Sequence, residues 1–135
     1  MKPLLLLLSV FLLVSCSQEV PIETPTEVTP QPLEVVTGPF LFRDGITYHQ
    51  DTNEPITGIV ESFHDNGILK GRGNFKDGKP DGLHESFHEN GQLWIRRNYV
   101  DGKEEGLFEM FDEDGNLTET RTYRNGELIE ENLNP

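Results

Sequence analysis

The sequence contains no alanine, only one cysteine and few basic residues. Without alanine, and with glycine, asparagine and aspartate plentiful, few stretches favour a helix, which argues against an α-helical bundle. One cysteine excludes an intramolecular disulfide framework. The 11 Lys and Arg against 24 Asp and Glu give a net charge of −13, and nucleic-acid binding needs clustered cations instead. A chain of 135 residues has room for one domain or one short repeat array.

Catalytic motifs are also missing. The chain has no G-x-S-x-G, H-E-x-x-H, Walker A or dinucleotide-binding fingerprint. Ser62 and Ser86 lie near histidines but lack an orienting third group, and paired carboxylates need a closed cleft to raise one pKa. We expect no enzyme activity, no cofactor, no metal and no small-molecule substrate.

The N-terminus has the pattern of a targeting segment. Lys2 precedes an apolar run from Leu4 to Val14, which at ~1.5 Å per residue is too short to cross a ~30 Å hydrocarbon core as a helix. A positive start followed by such a run is typical of a secretory signal peptide. The run ends at Leu13-Val14-Ser15-Cys16.

These four residues resemble the lipobox of bacterial lipoproteins, in which the cysteine is acylated and becomes the mature N-terminus. The alternative is a plain signal peptide that happens to end in cysteine. The resemblance implies an acyl anchor on Cys16 and a location in the bacterial cell envelope, and Ser17 after the cysteine favours the outer membrane. Cleavage would remove Lys2 and no acid, which leaves ten basic against 24 acidic residues, so the lipid and not the protein surface would bind the membrane.

Residues 16–39 are predicted to form a disordered stalk behind the lipidated cysteine. They contain five prolines, four glutamates and no basic residue, a composition that favours extended and solvated chain. An ordered strand at Leu33–Val36 is the alternative.

The remainder of the chain repeats itself. Segments beginning at Gly58, Gly82 and Gly106 align without a gap at a spacing of 24 residues, the signature of a repeat architecture. The recurring glycines at the two turn positions of each unit are Gly67, Gly91 and Gly115, and Gly78, Gly102 and Gly126. The recurring aromatic columns are Phe63, Phe87 and Phe111, and Phe75, Tyr99 and Tyr123.

Each unit is predicted to be a β-hairpin. A three-residue loop such as Glu89-Asn90-Gly91, with the glycine in the left-handed region, pairs Phe87 with Leu93 and places the two aromatic columns on one face. A two-residue loop would separate them. The expected fold is all-β, a single antiparallel meander of hairpins that stabilise one another by stacking.

The predicted organisation has atypical ends. Residues 40–57 form a lead-in hairpin that turns at Asp44-Gly45, and 130–135 an acidic tail that blunts an exposed sheet edge. The full order is signal peptide 1–15, lipidated cysteine and linker 16–39, lead-in hairpin 40–57, repeats 58–81, 82–105 and 106–129, and tail 130–135.

The repeats resemble MORN-type repeats in their bacterial variant form. The residues that carry the resemblance are Gly82, Phe87, Asn90, Gly91, Leu93, Tyr99, Asp101, Gly102, Lys103 and Gly106. It covers about residues 58–127. Together with the lipobox and stalk, the chain resembles the YwqK-type antitoxins of toxin–antitoxin systems, which implies a neutralising role. Gly71 and Gly73 interrupt the first unit, and Asp112 replaces the histidine of the other two.

The histidines and the acidic column have alternative interpretations. His84 and His88 are four residues apart, which on a strand spans ~13 Å, so solvent-facing histidines are favoured over a zinc site. Glu61, Glu85 and Glu109 could bind a cationic partner or Ca²⁺, or pair locally with Arg97 and Arg121 lying diagonally across.

One candidate partner surface remains. Trp94, Phe108 and Met110 are predicted on the face opposite the Phe columns, where they could form an exposed apolar patch, unless the sheet's twist or the linker covers that face.

The overall expectation is an envelope-anchored, non-catalytic module that binds a protein with a basic surface, because an acidic array steers such partners. An antitoxin- or immunity-like neutraliser is one version of it. The alternatives are a structural envelope lipoprotein that scaffolds or spaces other components, and a MORN array that binds lipid headgroups.

Overall fold

The computed structural model describes residues 32–133. The predicted signal peptide, Cys16 and the linker up to residue 31 lie outside the described residues. In the described part of the chain, no helix is long and apolar enough to cross a membrane.

The described residues form strands and turns without a helix. The strands are β1 (Val35–Val36), β2 (Phe40–Arg43), β3 (Ile46–His49), β4 (Gly58–Phe63), β5 (Leu69–Lys76), β6 (Lys79–Phe87), β7 (Leu93–Val100), β8 (Lys103–Glu104), β9 (Gly106–Phe111), β10 (Leu117–Arg124) and β11 (Glu127–Leu133). The main sheet runs in the order β1-β4-β5-β6-β7-β9-β10-β11, with β8 also paired to β7. All neighbours from β4 to β11 are antiparallel, so the predicted all-β meander is confirmed.

The lead-in hairpin of β2 and β3 forms a separate two-stranded sheet. It joins the first repeat through backbone bonds: Thr47 N–H donates to Gly78 O at 2.8 Å, and Gly78 N–H donates to Ile56 O at 2.8 Å. Ile56 is 3% exposed. The lead-in hairpin therefore packs against the first repeat, where Ile56 is one of the few buried apolar side chains.

A short strand from the linker covers one sheet edge. Val35 and Val36 pair in parallel with Ile59 and Val60 of β4. Ordered structure within Leu33–Val36 was the alternative to a fully disordered stalk, and the structure has it at β1. β1 shields only two residues of β4, yet it occupies hydrogen-bonding groups that would otherwise be open to another chain.

Two kinds of turn alternate along the array. The tight turns Asp77-Gly78, Asp101-Gly102 and Asn125-Gly126 have positive φ at both residues, which defines type I′ and suits a two-residue hairpin. The three-residue loops are those predicted: Gly91 N–H donates to His88 O, His88 N–H donates to Gln92 O, and Gly91 has φ +86°. The other glycines at these positions, Gly67 and Gly115, also have positive φ.

Each hairpin contains a β-bulge, and the side chains therefore do not lie on the faces of the sheet that the sequence predicts. Phe87 pairs with Leu93 but Ser86 pairs with Ile95, so Trp94 is an extra residue; Lys70 and Thr118 occupy the same position in the other repeats. Because paired residues point to one face, Tyr99, opposite Gly82, lies on the face opposite Phe87. The prediction that both aromatic columns share one face is wrong.

Neighbouring repeats are joined at their three-residue loops by side chains. The Nε2 groups of His64 and His88 donate to the carbonyls of Phe87 and Phe111, at 2.8 and 3.0 Å. The side-chain amides of two loop asparagines also donate to backbone carbonyls of the next loop. Asn66 donates to Glu89 O and Asn90 to Glu113 O, both at 2.9 Å. Each loop is thus fastened to the next by two bonds.

A second set of hydrogen bonds connects each tight turn to the preceding repeat. Gly102 N–H donates to Pro80 O and Gly126 N–H to Glu104 O, both at 2.8 Å. Side-chain oxygens of Asp81 and Glu105 accept from the preceding turn residues, Asp101 and Asn125. The array therefore depends on repeated polar contacts, since only Ile56 and Phe108 are buried hydrophobic residues in the described chain.

Candidate functional site

A row of small residues crosses three strands near the three-residue loops. Gly71 of β5 pairs with Ser62 on one side and Ser86 on the other, and Ser86 pairs in turn with Ile95. Paired residues share a face, so two hydroxymethyl groups and a bare backbone form a depression where later repeats have larger side chains. The interruption of the first unit by glycine thus makes a groove.

The walls of this groove come from the bulge and the loops. Trp94, the bulge residue, is 43% exposed, and its ring centroid lies 5.7 Å from that of His88. The volume is about 550 Å³, and the lining residues are Ser62, His64, Lys70, Gly71, Ser86, Phe87, His88, Glu89, Trp94 and Glu113. All three repeats contribute to this "loop groove".

The serines and histidines of the loop groove do not form a catalytic pair through Nε2. That nitrogen of His64 and of His88 is occupied by a backbone carbonyl, so it is not available to take a proton from Ser62 or Ser86. The imidazoles instead fix the loops relative to one another. Among residues 32–133, no group of three or more His, Cys, Asp or Glu side chains could hold a metal ion.

Of the predicted apolar patch, only Trp94 has the expected exposure. Phe108 is 5% exposed; its ring lies 6.4 Å from that of Tyr123 and under the Arg121 guanidinium at 5.2 Å. Met110 is half-buried. An exposed Phe108 is therefore wrong, because aromatic and guanidinium groups of β10 cover the side chain.

The acidic column pairs with arginines other than those predicted. Glu61 contacts Arg72 at 3.3 Å, and Arg96 lies between Glu85 and Glu109, 3.4 Å from each. The bulge at Trp94 causes the change, since it brings Arg96 rather than Arg97 opposite Glu85. The three carboxylates face two guanidinium groups, so this column is largely neutralised and is a weaker site for a cationic partner than its sequence indicates.

The opposite end of the strands carries a half-buried aromatic cluster. His84 lies between Phe75 and Tyr99, with ring centroids 5.2 and 4.8 Å away, and its Nε2 donates to Asn74 O at 2.8 Å. Burial lowers the pKa of His84, with Arg97 adding to the effect and the bond to Asn74 opposing it. Burial likewise raises the pKa of Tyr99. The expectation of a solvent-facing histidine is wrong here, because Gly73 leaves room for the imidazole.

The repeated segments were compared with known families. Residues 56–77, 80–101 and 104–125 each match the MORN repeat variant. The chain contains three MORN repeat variants. Each match begins two residues before the corresponding unit defined above and ends at the first residue of a tight turn, Asp77, Asp101 or Asn125. No curated protein and no solved structure matches the chain.

The MORN repeats account for the hairpin scaffold, and the loop groove lies where the first repeat differs from the other two. Its signal was Gly71, the position held by Ile95 in the second repeat and Glu119 in the third. A glycine inside a strand marks a place where something can approach the backbone closely. The sequence shows the interruption at Gly71, but only the strand register places Ser62 and Ser86 beside it.

Proposed function

We propose that the chain is a non-catalytic protein-binding module whose MORN repeats present the loop groove to an extended segment of a partner protein. The observation that carries the proposal is the exposed Trp94 above a floor of Ser62, Gly71 and Ser86. A tryptophan beside a bare stretch of backbone offers an apolar contact with close approach, a combination common at protein interfaces.

The charges around the loop groove suit a peptide better than a lipid headgroup. Lys70 lines it together with Glu89 and Glu113, so both signs are present and acid predominates. Elsewhere Arg72, Arg96, Arg97 and Arg121 are in ion pairs with glutamates. An anionic headgroup would meet repulsion from the remaining acidic surface.

The proposed location is the bacterial cell envelope, most specifically the outer membrane, with the module tethered by an acyl chain on Cys16. This rests on the lipobox-like residues that end at Cys16. Cys16→Ala is expected to release the protein into the soluble fraction, measured by membrane flotation. Retention on membranes would contradict the anchor.

The more specific role that we propose is neutralisation of a toxic partner, in the manner of the antitoxins that the whole chain resembles. A neutraliser predicts that deletion harms cells only when the partner is present, whereas a structural spacer predicts an unconditional envelope defect. Growth of deletion strains with and without the captured partner distinguishes the two.

The groove itself is tested by affinity capture from solubilised membranes with the native lipoprotein. Trp94→Ser is expected to lose the partner, while Val100→Ser, an exposed apolar position (55%) on the same strand outside the groove, is expected to keep it. Equal recovery of every protein with both variants would contradict a groove-bound partner.

A further inference from the structure

No other strand of residues 32–133 covers the outer edge of β11, the last described strand of the sheet. Its seven residues are all exposed, and in the described part of the chain it pairs with β10 alone. The first strand of the repeats differs, since β1 covers part of β4. An open antiparallel edge is a template for a further strand.

The side chains of β11 are not those of a well-protected edge. Leu128, Ile129 and Leu133 are 50, 54 and 71% exposed. Protected edges are usually short or carry charges and proline. β11 has three glutamates but no proline, and its seven residues make it longer than the acidic tail at 130–135 that the sequence predicts as edge protection. Its length and apolar content favour occupation by a partner strand.

The charges of β11 indicate which partner. Glu131 is paired with Arg121 at 2.9 Å, but Glu127 and Glu130 form no ion pair among the described residues. Both lie on one face, because they pair across the sheet with Arg124 and Thr122, on either side of the bulge at Ile129. Arg124 lies opposite Glu127, and the Asn132 side chain donates to Glu130 at 3.3 Å, but neither carboxylate is in an ion pair with a described residue. The two therefore complement basic side chains at alternate positions of an added strand.

A second copy of the chain is a poorer fit. Antiparallel pairing of two β11 strands would bring the glutamates of one copy against those of the other, and like charges directly opposite are destabilising. The chain's own linker is a poor fit for the same reason, because residues 17–31 carry three glutamates and no basic residue.

We propose that β11 is a docking edge for an extended, basic segment of a partner protein, which adds to the sheet as an antiparallel strand with its Lys or Arg side chains beside Glu127 and Glu130. This site is separate from the loop groove and does not depend on it. It gives the predicted basic partner a specific place to bind.

The test uses the full-length protein in detergent and a synthetic peptide of alternating lysine and valine. The peptide is long enough to pair with all seven residues of β11. Fluorescence anisotropy is expected to show saturable binding, and hydrogen exchange to slow at residues 127–133. The same peptide N-methylated at alternate residues, which blocks backbone hydrogen bonding and keeps the charge, is expected not to bind.

Matched charge reversals separate edge binding from general attraction to an acidic protein. Glu127→Lys with Glu130→Lys is expected to weaken binding by more than about tenfold relative to Asp51→Lys with Asp65→Lys, two exposed positions away from β11. Equal affinities for the two double variants, or exchange protection outside β11, would overturn the proposal. So would a dimer that buries β11 without peptide. Trp94→Ser, which alters the loop groove, is expected to leave peptide binding at β11 unchanged. The two proposed sites are therefore tested independently of each other.

Discussion

The Nε2 atom of His64 lies 2.8 Å from the carbonyl oxygen of Phe87, 23 residues further along the chain. The same contact recurs between His88 and Phe111 at 3.0 Å. A carbonyl only accepts, so Nε2 carries the proton in both. A single sequence column therefore connects the first repeat to the second and the second to the third.

His64→Ala and His88→Ala are each expected to destabilise the fold by about 1 kcal/mol, the usual contribution of one hydrogen bond. Urea denaturation followed by circular dichroism measures the change. Asp65→Ala, an exposed residue of the same loop, is the control and should alter stability by less than about 0.5 kcal/mol. If the histidine variants match this control, the bonds do not stabilise the array.

The third repeat has Asp112 in this column, and the reason is local. No further three-residue loop follows it in the described chain. Asp112 instead accepts hydrogen bonds from the backbone N–H groups of Asp114 and Asn116 and from the Asn116 side chain. Asp112→His, which restores the residue of the other repeats, is therefore expected to lower stability rather than raise it, measured by urea denaturation at pH 7.

Hydrogen bonds from the Asn116 side chain, and then from backbone N–H groups, lower the pKa of Asp112. The stabilising contribution of the carboxylate is therefore full above the ordinary aspartate pKa of about 3.9 and is lost as pH falls through the lower folded value. The stability difference between the native chain and Asp112→Asn should narrow over that range. A difference independent of pH would show that the charge has no part in it.

His84 is expected to give the protein a pH dependence near neutrality. Because burial lowers its folded pKa, the unfolded chain binds more protons between the folded value and about 6.5, so stability falls as pH decreases through that window and levels off below it. Unfolding free energies at several pH values measure the slope. His84→Gln should remove this part of the slope, whereas an unchanged profile would assign it to other groups.

The sequence predicted the hairpins and their turns because both depend on short-range chemistry, such as Asn90-Gly91 between alternating strands. It did not predict which side chains share a face. One extra residue in every hairpin (Lys70, Trp94 or Thr118) preserves the 24-residue period but reverses the alternation of side chains along the strand. For this reason Glu85 faces Arg96 instead of the predicted Arg97, and Tyr123 lies on the same face as Phe108. The loop groove required the same information, since Gly71 becomes a floor only once Ser62 and Ser86 are known to flank it.

Two glycines of strand β5 are expected to differ in how well they tolerate an added methyl group. At Gly73 an added Cβ would lie 2.5 Å from Nδ1 of His84, whose imidazole is held between Phe75 and Tyr99, so Gly73→Ala is expected to destabilise the fold by about 1–3 kcal/mol. At Gly71 the Cβ would lie 3.3 Å from the Ser62 hydroxyl, which can rotate.

Gly71→Ala is therefore expected to change stability by less than about 0.5 kcal/mol, and urea denaturation compares the two variants directly. The mechanism is checked by a double-mutant cycle. Gly73→Ala should destabilise much less in a His84→Ala background, since the obstructing imidazole is gone. Equal effects of Gly73→Ala in both backgrounds would show that the loss comes from the backbone and not from contact with His84.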